Sequence, residues 1–139
     1  MTDDDVQAEI DGYAARLGVT RTGDWSPVPD RVNRDSGYPF WRREGDRFVY
    51  AAHDRGQESM RCEAHSVDDL LFRVTSGVAS RLVQDHELAH RRPDEDSRRQ
   101  WFGLWVELMA GLRPDWGERV AAYVADVLRT AAYVDRPDA

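Results

Sequence analysis

The stretch YPFWRREGDRFVYAAHDRGQESMRCEAHS, residues 38–66, decides the fold. It contains three segments that we predict to be strands, near residues 38–43, 47–53 and 57–64. The middle segment shows the alternation of a strand, because Phe48 and Tyr50 stand two positions apart on one face. The tripeptides EGD and DRG separate the segments, and each offers a glycine, Gly45 or Gly56, that can adopt a positive φ. Turns this short predict a three-stranded antiparallel sheet.

Helical periodicity surrounds this sheet, with one segment before it and three after it: residues 2–18, 66–90, 96–112 and 113–134. Ser66 suits an N-cap, and Pro93 cannot continue the helix that Ser66 begins. In the third helix we predict one buried stripe and two residues that widen it: Trp101, Leu104, Trp105, Leu108 and Leu112, with Phe102 and Met109. Segregated strands and helices predict an α+β fold, with a layer of about four helices on a small sheet and one domain over residues 1–139.

Composition limits the function. The chain has 139 residues and a formal net charge of −7, which favours a basic partner over nucleic acid or an anionic membrane. All nineteen basic residues are arginine, so no lysine can act as a base or form a Schiff base, and the single cysteine excludes an internal disulfide. Neither a signal sequence nor an apolar run of about 20 residues is visible, so we expect a cytoplasmic protein.

The segment HELAH, residues 86–90, has the H-E-x-x-H spacing of zinc proteases. His86 and His90 share a helix face, but a hydrolytic zinc site needs a third ligand, and no histidine follows His90. Glu87 falls nearly opposite the apolar stripe, and Pro93 ends the helix three residues later. We therefore predict no catalytic, cofactor or metal site, and keep a small metal-dependent hydrolase as the alternative.

A set of exposed side chains is predicted to bind a protein partner. Trp25 lies in a long Gly/Pro/Asp-rich loop, where an indole is free to act as an anchor. Carboxylates in the turns and loops offer contacts for basic groups. The predicted set is Trp25, Glu44, Asp46, Asp54, Asp94, Glu95 and Asp96. For each acidic run that precedes a helix, taken singly, compensation of the helix dipole is the stronger explanation.

From residue 38 to about residue 130 the chain resembles the Immunity protein 63 family of bacterial polymorphic toxin systems. The resemblance lies in many small matches, in order: Asp54-Arg55-Gly56 after a Tyr-containing strand, Asp68-Asp69-Leu70-Leu71 at a helix start, Glu87-Leu88, then Asp96, Arg98 and Arg99, Glu107-Leu108, and Pro114 with Trp116. Asp54 stands where glutamate is more usual in such a family. The N-terminal helix and the Trp25 loop fall outside the resemblance.

The resemblance implies a non-enzymatic, cytoplasmic immunity protein that binds one cognate toxin domain and blocks it by occupying its cleft or locking its conformation. The charge of −7 is compatible with a basic toxin such as a nuclease. For Arg55 we expect first a structural role, as a bidentate pair with a carboxylate that ties the sheet turn to a helix. Direct contact with the toxin is the alternative.

Overall fold

The computed structural model describes residues 1–22 and 25–136. Four helices and three strands follow one another in this part of the chain: α1 Asp3–Arg16, β1 Ser36–Glu44, β2 Arg47–Asp54, β3 Gln57–Ala64, α2 Val67–Ala89, α3 Ser97–Leu112 and α4 Pro114–Thr130. The predicted α+β fold, with one N-terminal and three C-terminal helices, is confirmed. The chain divides into two compact units, Met1–Val78 and Ala79–Ala139. No helix among the described residues is long and apolar enough to cross a membrane.

In the first unit the strands form an antiparallel sheet in the order β1-β2-β3. Trp41 of β1 stands opposite Tyr50 of β2, so both side chains lie on one face of the sheet. The Trp41 indole N–H donates to Gln7 of α1 at 2.7 Å, and a Cβ on Gly77 of α2 would lie 2.6 Å from the Tyr50 hydroxyl. Helix α1 and the first half of α2 therefore pack on the same face.

The opposite face carries a small apolar cluster of Phe40, Val49 and Ala51, all buried. The Arg42 guanidinium lies over the Phe40 ring, and the His53 ring meets Phe40 edge-on at 5.3 Å. Because long charged side chains can cover apolar surface with their methylene stems, Arg42 helps to shield this cluster from water.

Helix caps agree with the sequence. Thr2 and Asp5 form a capping box at the start of α1, and Ser66 accepts the N–H of Asp69 at the start of α2. Asp96 caps α3 and thereby satisfies the N–H of Arg98. The first three helices thus begin where a side-chain oxygen satisfies a free N–H group, whereas α4 has no side-chain cap and begins with Pro114, which has no N–H to satisfy.

In the second unit α3 and α4 contact each other closely. A Cβ on Gly117 of α4 would lie 2.4 Å from the Cβ of Ala110 of α3, so only glycine fits at this point. The predicted buried stripe of α3 was partly wrong: Phe102, Trp105 and Met109 are buried, whereas Trp101 is half-buried. Phe102, Trp105 and Met109 are spaced by three and four, so they form one face that is rotated from the predicted one.

Helix α4 ends at Thr130, four residues before the predicted end. Residues 131–136, which we call the C-terminal strap, run back along the start of α3. The Arg98 guanidinium donates to the carbonyl oxygens of Ala131 and Ala132 at 2.8 and 2.9 Å. In a longer α4 the carbonyls of Ala131 and Ala132 would accept from the next helical turn. Arg98 satisfies them instead, so α4 can end at Thr130 without leaving these carbonyls unpaired.

Candidate partner-binding surface

The loop between α1 and β1 is fastened to the sheet edge. The backbone N–H of Trp41 donates to the Asp30 carbonyl at 2.9 Å, and the Gln7 amide donates to the Pro29 carbonyl at 2.9 Å. The Asp30 carboxylate accepts two hydrogen bonds from Arg34, each 2.7 Å long. Arg34 thereby holds the pKa of Asp30 below its usual range. These contacts fix this part of the loop to β1 and α1.

Trp25 lies on this loop with its side chain 68% exposed. Its φ is +61°, a backbone conformation that a bulky residue rarely adopts. The indole meets the ring of Tyr38 edge-on, with 5.8 Å between the ring centroids. An aromatic contact on one side leaves most of the indole open to a partner.

The β2–β3 turn is a two-residue loop made by Arg55 and Gly56, which have φ values of +55° and +76°. Positive φ at both positions matches a type I′ hairpin turn. Both carboxylate oxygens of Asp35 accept the Gly56 N–H at 2.9 Å. The turn is therefore bound to the residue that precedes β1 as well as to its own strands.

Arg55 is exposed at this turn. Among residues 1–22 and 25–136 its guanidinium forms no hydrogen bond, ion pair or ring contact. The structural role expected for Arg55, a pair with a carboxylate that ties the turn to a helix, was wrong for this part of the chain. The turn is fastened by a backbone N–H, that of Gly56, instead. With respect to the described residues, the Arg55 guanidinium is open to an external carboxylate.

These features meet at one end of the sheet. Ser36 at the start of β1 pairs with Asp54 at the end of β2, and Tyr38, which contacts Trp25, lies two residues after Ser36. We call the surface formed by Trp25, Tyr38, Asp54 and Arg55 the Trp25 end of the sheet. Trp25 and Asp54 of the predicted set lie at this same end of the sheet, as do Tyr38 and Arg55.

Glu44 and Asp46 lie at the other end of the sheet, about 23 Å away along β2 at about 3.3 Å per residue. Glu44 is paired with Arg42 at 3.0 Å and lies 3.4 Å from Arg61. Asp46 is exposed in the β1–β2 turn. The structure thus separates these two carboxylates from Trp25 and Asp54.

Asp94, Glu95 and Asp96 lie in the connection between α2 and α3, where the side chains of Glu95 and Asp96 contact arginines of the chain and the side chain of Asp94 is exposed. The Asp94 carbonyl accepts the N–H of Arg136, and Glu95 lies 3.5 Å from Arg92. The Asp96 carboxylate accepts from the Arg98 side chain and from the Val134 N–H. Those two donors hold the pKa of Asp96 well below its usual range.

Asp135 completes a reciprocal arrangement with Asp96. The N–H of Asp96 donates to the Asp135 carboxylate at 2.9 Å, and Arg99 pairs with the same carboxylate at 2.9 Å. The Arg99 guanidinium also lies 4.4 Å from the centre of the Tyr133 ring. We call these contacts between Asp96 and the C-terminal strap the clasp. The sequence did not predict it, because a pair of residues 39 positions apart leaves no periodic signal.

The HELAH segment does not assemble a hydrolytic site among the described residues. The rings of His86 and His90 stack with 4.2 Å between centroids, and His90 Nδ1 donates to the His86 carbonyl at 2.9 Å. Glu87, predicted on the polar side, is buried, and both its oxygens accept from Arg91 at 3.1 Å. The prediction was wrong because the buried stripe passes through Val83, four residues earlier.

In the part of the chain that the structure describes, no group of three or more His, Cys, Asp or Glu side chains is placed to hold a metal ion. What the described surface offers is recognition chemistry: an exposed indole, an open guanidinium and a carboxylate at the Trp25 end of the sheet.

Comparison with known proteins gives one family. The sequence model described as Immunity protein 63 matches residues 44–126, which is more than half of the chain. The matched segment runs from the end of β1 through most of α4 and includes Arg55, whereas Trp25 and its loop precede it. No curated protein matches the chain, and no solved structure does.

Proposed function

This chain belongs to the Immunity protein 63 family, and on that basis we propose that it binds one cognate bacterial toxin domain and neutralises it by stoichiometric protein–protein inhibition. The observation that carries the proposal is the family match over residues 44–126. The protein would act in the cytoplasm, by covering the toxin's cleft or locking its conformation.

The proposal includes a basic, nuclease-like toxin and no binding of nucleic acid or membrane by this chain itself. Its support is the net charge of −7. The predicted carboxylates differ in how free they are to meet a basic surface. Asp46, Asp54 and Asp94 are exposed, whereas Asp96 is engaged by Arg98 and the C-terminal strap. We propose that the exposed carboxylates contribute more to attraction of the toxin than Asp96 does.

The proposal requires no turnover. Inhibition by occupation needs complementary surface and no bond made or broken by the inhibitor. The arrangement of HELAH supports this part, because Glu87 is buried and both its carboxylate oxygens accept hydrogen bonds from Arg91. A zinc hydrolase would need that carboxylate to reach a metal-bound water.

Co-expression with the toxin encoded beside this gene tests the proposal. Cells that produce both proteins should grow, and an inactive form of the toxin should co-purify with this chain in equal molar amounts. A comparison variant is Gly117→Ala, which should melt at a lower temperature yet protect as well as the unchanged protein at the same amount of folded protein. Growth arrest despite abundant folded protein, together with no co-purification, would contradict the proposal.

A further inference from the structure

We propose that the toxin docks on the Trp25 end of the sheet, with Trp25 as the apolar anchor and Arg55 as the contact to a toxin carboxylate. This inference rests on the proposed function and deepens it by naming the face and the chemistry of the partner. The toxin surface that fits would present a carboxylate beside an apolar hollow wide enough for an indole.

The choice of residue in the β2–β3 turn is the first argument. A type I′ turn needs positive φ at both central positions, and Asn-Gly is the sequence that adopts it most easily. Arg55 occupies the first position at φ +55°, although arginine gains nothing there from its backbone conformation. Such an unfavourable residue at an exposed turn indicates that its side chain serves a purpose outside the fold.

The state of the guanidinium is the second argument. Other arginines of the first unit already meet carboxylates; Arg34 pairs with Asp30 at 2.7 Å, and Arg61 lies within 3.4 Å of Glu44 and Glu63. Arg55 has no such partner among the described residues. An arginine with an open fork of donors is suited to bidentate binding of a carboxylate on another protein.

The exposed indole is the third argument. Trp25 has the unfavourable φ of +61°, yet its side chain is 68% exposed and gains little from burial in the fold. Tryptophan, tyrosine and arginine are the residues that most often dominate binding energy at protein interfaces. Trp25, Tyr38 and Arg55 bring all three types to one end of the sheet.

The surface is also preorganised. Asp35 binds the N–H of Gly56, Asp30 binds Arg34, and the Trp41 N–H binds the Asp30 carbonyl. These contacts hold the turn and the part of the loop around Asp30 before any partner arrives. Less conformational entropy is then lost on association, which favours tight binding by a small set of contacts.

The test is a titration calorimetry series with an inactive form of the cognate toxin. Trp25→Ala and Arg55→Asn should each weaken the affinity at least about thirtyfold, the threshold for an interface hot spot. Arg55→Asn should leave the melting temperature equal or higher, because asparagine suits the turn. The matched controls are Leu88→Ala, an exposed apolar residue, and Arg129→Ala, an exposed arginine; both should bind as the unchanged protein does.

The outcomes separate the two proposals. If the unchanged protein does not bind the toxin, the proposed function fails and this inference fails with it. If the unchanged protein binds and Trp25→Ala and Arg55→Asn bind within about twofold of it, this inference alone is wrong. A homodimer of the isolated chain that Trp25→Ala dissociates would also overturn it, because the occupant of the surface would then be a second copy.

Discussion

Gly117 is the position where substitution should disturb the second unit most sharply. Its missing Cβ would lie 2.4 Å from the Cβ and 2.7 Å from the Cα of Ala110, whereas carbon atoms pack at about 3.5–4.0 Å. Gly117→Ala therefore has to push α4 away from α3. The obstruction includes backbone, so we take about 3 kcal/mol, the upper end for overpacking. Alanine's better helix propensity returns about 1 kcal/mol.

The net loss for Gly117→Ala is thus about 2 kcal/mol, which thermal unfolding by circular dichroism should show as a fall in Tm of about 8 °C. Gly103→Ala is the matched control, because it lies in α3 with no atom within 4 Å of its missing Cβ. That variant should be stabilised by up to about 1 kcal/mol. Equal melting temperatures for Gly117→Ala and Gly103→Ala would refute the close approach of α3 and α4.

Three further substitutions test other contacts. Gln7→Leu should lower the free energy of unfolding, measured by urea titration, by about 2 kcal/mol, because it leaves the Trp41 indole N–H without its acceptor and the Pro29 carbonyl without the Gln7 donor; Trp41→Phe in that background should recover only the part due to the indole N–H. Gly77→Ala should cost about 1–2 kcal/mol, and Tyr50→Phe should relieve it, because the obstructing atom is the hydroxyl at 2.6 Å. Asp96 has a lowered pKa when folded, so it stabilises the fold above the unfolded pKa of about 3.9 and loses that contribution as pH falls through the folded pKa; Asp96→Asn should lower stability at pH 7 and flatten the acid limb of a Tm-against-pH curve.

The sheet could be predicted because its information is local. Alternation in residues 47–53 and a glycine in each turn determine strand, turn and pairing within one stretch of chain. The structure extends β1 by two residues, to Ser36, at a point where pairing with Asp54 adds to the ladder. Such an extension of a strand depends on hydrogen bonds to the neighbouring strand and not on the sequence pattern of the added residues.

The features that escaped prediction depend on distant contacts. Glu87 looks polar by type, yet its position four residues after the buried Val83 places it inside, where Arg91 neutralises it. The clasp between Asp96 and Asp135 joins residues that no local rule connects. Of the candidate surface, Trp25 was found as an exposed aromatic in a loop. That Arg55 has no partner among the described residues depends on the placement of carboxylates distant in sequence, which no local pattern encodes.

A titration of the cognate toxin's catalytic activity against increasing amounts of this protein tests the central claim most directly. A stoichiometric inhibitor predicts a linear fall in activity that reaches its end at one molecule of this protein per toxin domain, with no change on longer incubation. Complete loss of activity at a small fraction of that ratio, growing with time, would show that the protein consumes the toxin or its substrate catalytically. Full activity at a large molar excess would show that it does not bind that toxin in an inhibitory way.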